Sequence, residues 1–113
     1  MAYPVGTKNL VIDYLAGLGT WISLHTGDPG TTGASEATGG SYARKQTTWG
    51  AAASALATGS QVAFTGLIAA SYTYFGVWSA VSAGTFRYGF ALSPGATLNG
   101  TGGFNVTPSI PWP

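Results

Sequence analysis

A chain of 113 residues with four basic and three acidic side chains, one histidine, no cysteine, and four Trp, six Tyr and five Phe is a single domain, 1–113, able to bury roughly 60–70% of its unfolded surface. Its formal charge of +1, with only Arg44 and Lys45 adjacent, offers no stripe for nucleic acid; the lack of cysteine excludes disulfides and thiolate metal sites, and no run of about 18 apolar residues is present to cross a membrane. An ordinary soluble domain is about a quarter charged, so a surface on a chain that is 6% charged suits burial against other protein better than water.

The first element is a helix, expected over 8–16. Thr7 is a candidate N-cap, and Leu10, Val11, Tyr14, Leu15 and Leu18 follow on one helical face, with Gly17 or Gly19 available to stop the run. That apolar face is expected to plug one end of a β core, and Lys8, Asn9 and Asp13 form the solvated side. Asp13 also falls where the apolar region of a secretory leader would be, so no leader is expected.

After Thr20 the period changes to two. Strands are predicted at Trp21 to His25, Tyr42 to Trp49, Gln61 to Thr65, Tyr72 to Ser79, Thr85 to Leu92 and Phe104 to Thr107, each rich in aromatic and β-branched residues and bounded by turn formers. The predicted class is mainly β: an antiparallel β-sandwich or small barrel of about six to eight strands, its core at 21–107, with one short N-terminal helix. Ser82-Ala83-Gly84 predicts a hairpin turn between the fourth and fifth strands. In that hairpin Tyr72, Tyr74 and Trp78 are assigned to one face of their strand, and Phe86, Tyr88, Phe90 and Leu92 to one face of the next. Both sides of this hairpin are apolar over much of its length, so something must cover the second face: the helix, the opposite sheet or a neighbouring subunit.

Two segments read as irregular. Residues 26–41 (TGDPGTTGASEATGGS) form an outer surface loop carrying Asp28, Pro29, Gly30 and Glu36, in which Asp28-Pro29-Gly30 has turn chemistry. Residues 108–113, rich in proline, form an extended C-terminal arm that cannot join a central strand, and its Trp112 should dock on its own domain or on a partner.

Catalytic and ligand chemistry is thin. Ser23, His25 and Asp28 can be written as a triad, but Asp28 lies in a turn and no glycine-rich elbow presents the serine. Three or four metal ligands are not found together, and the Gly27–Gly33 run lacks a phosphate-loop lysine. No cofactor and no metal is expected. Carbohydrate binding has its aromatic platforms in Trp21, Trp49, Trp78 and Trp112 but few polar partners.

The stretch Ser23-Leu24-His25-Thr26-Gly27-Asp28-Pro29-Gly30-Thr31-Thr32-Gly33-Ala34-Ser35-Glu36, then Gly39-Gly40-Ser41-Tyr42-Ala43-Arg44-Lys45, Thr48-Trp49, Gly76-Val77-Trp78-Ser79-Ala80 and Gly84-Thr85-Phe86, resembles a family of small virion proteins from tailed phages, notably those of actinobacteria. The likeness runs in order over residues 8 to 92, and members carry minor tail, tail fibre or minor capsid labels. The resemblance implies a non-enzymatic structural role in the virion. The first reading is a minor capsid or decoration protein bound to the major capsid protein as a homo-oligomer, a trimer favoured; the second is a minor tail or tail-fibre-associated protein; the third, from another class, is a carbohydrate-binding module. Large aromatics and arginines anchor protein contacts, which selects Trp49, Trp78, Trp112, Tyr74, Arg44 and Arg87 as interface candidates.

Overall fold

Alternating residues after Thr20 do fold as strands. The computed structural model describes residues 2–112, and within them one helix precedes eight strands. In chain order these are α1 (Val5–Ala16), β1 (Trp21–His25), β2 (Lys45–Gln46), β3 (Leu56–Thr58), β4 (Val62–Leu67), β5 (Ala70–Trp78), β6 (Phe86–Leu98), β7 (Gly102–Val106) and β8 (Ser109–Pro111). A four-stranded sheet has the order β2-β1-β5-β6, and two two-stranded ladders pair β3 with β8 and β4 with β7. Every pairing is antiparallel, which makes the fold mainly β and sandwich-like.

Strand β1 shows how the layers form. Its Ile22 and Leu24 pack with Val62, Phe64 and Leu67 of β4, Phe75 and Val77 of β5, and Val106 of β7. Ser23 and His25 alternate to the opposite face, yet both are fully buried as well, because residues of the 26–41 segment cover that side. Each large apolar side chain enclosed in this way contributes about 1.5–3 kcal/mol.

The predicted hairpin forms, with Ala83 and Gly84 at φ 51° and 75°. Two register shifts redistribute its faces. Across the first, Tyr72 pairs with Ala96 but Tyr74 with Ala91, and Tyr72 joins Phe75 in the main core instead of sharing a face with Tyr74. Across the second, Val77 pairs with Tyr88 but Trp78 with Phe86, leaving Arg87 as the extra residue. Phe86 thereby leaves the row of Tyr88, Phe90 and Leu92 and turns onto Trp78. The chain covers much of the hairpin itself: Tyr88 and Phe90 bridge the main core and a second cluster built on Ile12, Ala16, Ala57 and Ile110.

Other boundaries move for local reasons. The strand expected over Tyr42 to Trp49 shrinks to Lys45–Gln46, because Tyr42 and Arg44 reach toward Glu36 and the Thr47 hydroxyl turns to donate to the Ser60 carbonyl at 2.8 Å. Strands β3 and β8 lack the alternation that would announce them. The C-terminal arm is extended but not free: Pro108 and Ile110 are buried, Ile110 pairs with Ala57, and Trp112 N–H donates to the Ala55 carbonyl at 3.1 Å. Pro113 lies outside the described residues.

The helix departs furthest from expectation. It starts at Val5 after Pro4, with no side-chain cap, so Thr7 lies inside its first turn. It is also rotated. Ile12 and Ala16 are its buried residues, whereas Leu10 and Tyr14 are 71% and 70% exposed. The physical reason lies in the turn it packs on, where Ser54 and Ala55 take φ of 52° and 60°. That turn needs acceptors for its amides. Asn9 Oδ1 accepts from Ala55 N–H at 3.0 Å and Asp13 Oδ1 from Ala52 N–H at 2.7 Å, so the side expected to be solvated borders its own domain, with Lys8 and Asn9 half-buried and Asp13 exposed.

Candidate functional site

Beneath the 26–41 segment lies a chain of polar contacts that starts from β1. His25 Nδ1 sits 2.7 Å from the Ala34 carbonyl oxygen; that oxygen can only accept, so Nδ1 carries the hydrogen and Nε2 is the acceptor. Ser23 Oγ, 2.7 Å from Nε2, therefore donates to it and accepts in turn from Trp78 Nε1–H at 2.9 Å. Gly76 stands opposite Ser23, and a β-carbon there would meet Ser23 Oγ at 2.6 Å and His25 Nε2 at 2.7 Å.

This Ser–His pair is not a catalytic dyad. Both residues are fully buried, and the third partner is the Ala34 backbone. Asp28 instead accepts from Gly30 N–H at 2.8 Å, closing the turn that its sequence predicts. Burial, only partly opposed by the Ala34 carbonyl and Glu36, lowers the His25 pKa below its ordinary value, so the ring is neutral at pH 7.

Above it, Arg44 grips Glu36 with two parallel bonds, Nε to Oε2 and Nη2 to Oε1, each 2.9 Å. Its Nη1 donates to the Ala80 and Ala83 carbonyls at 3.1 and 2.8 Å, and the guanidinium lies 3.7 Å from the Trp78 ring centre. Tyr42 donates its hydroxyl hydrogen to Glu36 Oε2 at 2.7 Å while accepting from Leu24 N–H at 3.1 Å. Burial pushes the Glu36 carboxyl up, but its bonds to Arg44 and Tyr42 outweigh that and hold it below the usual carboxylate range. Burial and the bond to Glu36 raise the Tyr42 phenol well above its ordinary value. Ser23, His25, Glu36, Tyr42, Arg44 and Trp78 all come from the segments that carry the resemblance to phage virion proteins, and together they tie the long loop, β1 and the hairpin into one knot.

Most of the 26–41 segment lies at the surface, with Asp28 and Gly30 exposed, but parts of it are fastened inward. Thr31 and Thr32 are exposed, but Pro29 is buried and Glu36 half-buried. Gly33, at φ 78°, lies where a β-carbon would meet Trp78 Cζ2 at 2.5 Å. Loop length alone does not reveal this; the Glu36/Arg44 pairing was the one available signal.

The interface candidates have varied surroundings. Trp78 and Arg44 are committed to the knot. Trp49 donates Nε1–H to the Gly19 carbonyl at 2.9 Å and packs against both clusters. Trp112 meets the edge of Tyr3 and lies under the Lys8 ammonium, 5.6 Å from its ring centre. Tyr74 is half-buried opposite His25, and Arg87 is exposed, its Nε donating to the Leu18 carbonyl at 3.1 Å. With Arg44 and Lys8 on the rings of Trp78 and Trp112, those two rings are poor platforms for a sugar. A shallow groove lined by Phe75, Leu92, Pro94, Phe104 and Asn105 carries no ionisable side chain.

Sequence reasoning missed the outward strip on α1. Leu10, Val11 and Tyr14 are exposed there, because a helical face was assigned inward on hydrophobicity alone. Among the described residues no helix is long and apolar enough to cross a membrane, and no cluster of three metal-ligating side chains occurs.

A comparison with curated protein sequences finds no match. The family model described as Podophage GP4 fiber I protein gp80 matches residues 12–109, a span that includes the whole knot, and the chain belongs to that family of phage virion structural proteins.

Proposed function

We propose that this chain is a non-enzymatic structural component of a tailed-phage virion, associated with the tail fibre and assembled from several copies of itself beside other tail proteins. The observation that carries the reading is the match of residues 12–109 to a fibre protein family. It favours the tail over the head lattice, so the decoration role takes second place. The interior supports a mechanical role: the single histidine and its serine partner are fully buried, and their hydrogen bonds hold a loop closed. Many weak contacts repeated over a particle give firm attachment without a large interface for any one copy.

Immunogold labelling of purified virions, with copy counting by quantitative mass spectrometry, tests the assignment. Gold at the fibres and a low copy number are expected. Gold spread over the head at hundreds of copies would replace the fibre role with decoration.

A further inference from the structure

We propose that the outer face of α1 is a self-association surface that meets the same face of a second copy of this chain; the proposal rests on the structural-subunit reading above and specifies its contact. On that face Leu10 and Tyr14 are 71% and 70% exposed and Val11 40%. Exposure this high on a helix otherwise fixed to its domain is the reverse of what folding alone favours. Thr7, Leu10 and Tyr14 are spaced three and four residues apart, the spacing of a helix–helix seam.

Charge identifies the occupant. The ionisable groups of α1 other than Tyr14 are turned to its own domain: Lys8 lies over Trp112, and Asp13 accepts from Ala52 N–H. The strip is left apolar and without ionised groups. A partner rich in charge would lose hydration there and gain no counter-ion, whereas a second copy offers an equally neutral surface that opposes it with no repulsion. The area sets the strength. The strip offers roughly 300–400 Å² per copy, within what a monomer ordinarily exposes, and a pair would bury about 600–800 Å², well below the standard range for specific interfaces. The pairing is therefore reversible in isolation and reinforced by repetition in the particle.

Sedimentation velocity of the full chain over rising concentration reads the contact directly. Wild type is expected to associate reversibly, and Leu10→Glu and Leu10→Lys each to weaken association by about tenfold or more. Mixing the two variants should restore it, as Glu and Lys then face one another. Far-UV circular dichroism should show both variants folded, and Gln61→Glu, a change at an exposed residue off the helix, should associate as wild type. A wild type that stays monomeric, a Leu10→Glu that associates unchanged, or a mixture that fails to recover would overturn the proposal. If wild type is monomeric and Leu10→Glu is lost from the virion, another virion protein covers the strip, and the fibre reading survives without self-pairing.

Discussion

The knot and the helix use polarity in the same direction and reach opposite results. In the knot, Glu36, Arg44 and Tyr42 turn inward and find every partner within the chain, so the long loop closes on itself. On α1, Lys8, Asn9 and Asp13 also bond to their own domain, at Trp112, Ala55 and Ala52, while the face of Leu10, Val11 and Tyr14 stays exposed. One region is satisfied by its own fold; the other leaves an apolar strip exposed. A chain this poor in charge can thus be well tied internally and still carry a surface unsuited to water.

Breaking the closed side should have the largest effect. Trp78→Ala removes the ring on which Arg44, Phe86 and Gly33 converge and is expected to cost about 3–5 kcal/mol of folding stability in urea denaturation. A loss below about 1 kcal/mol would mean the knot does not hold the loop. Acid should act more mildly. The folded protein binds a proton at His25 less readily than the unfolded chain does, so this contribution is full above about pH 6.5 and falls from there as pH drops through the lowered folded value. Glu36 has a lowered pKa too, and adds a second loss below its ordinary 4.5. Urea midpoints at about pH 7.5 and about pH 5 should therefore differ, with the acid sample weaker; equal midpoints would contradict the buried neutral ring. The smallest effect belongs to the open side, where Leu10→Glu should change monomer stability by no more than about 0.5 kcal/mol. A larger loss would show that Leu10 packs against its own domain.

Strong local patterns were readable without the structure. Alternation located β1, β4, β5 and β7 to within a few residues, and glycine after a polar turn located the hairpin. Strands β3 and β8 have weak patterns because their order comes from each other and from the helix lying on them. The sequence offers Ser23 and His25 as members of a triad with Asp28, but their third partner is a main-chain oxygen at Ala34, which an inventory of side chains does not contain. The helix was misread for a related reason. Its apolar stripe is evident, but the amides of the turn at 52–55 that attract Asn9 and Asp13 are nearly forty residues or more away in sequence. The bulges in β6 escaped notice because an extra residue such as Arg87 changes the facing of its neighbours without changing the composition of the strand.

The edge-on contact of Tyr3 with Trp112, their ring centres 5.4 Å apart, brings the two described ends of the polypeptide side by side at the start of the helix that carries the exposed strip. A reporter fused to either end would crowd that strip and could silence pairing for reasons unrelated to the native contact. Insertion of a short epitope at Thr31-Thr32, exposed in the otherwise fastened loop, leaves the helix unobstructed and is the sounder way to follow this protein in an intact particle.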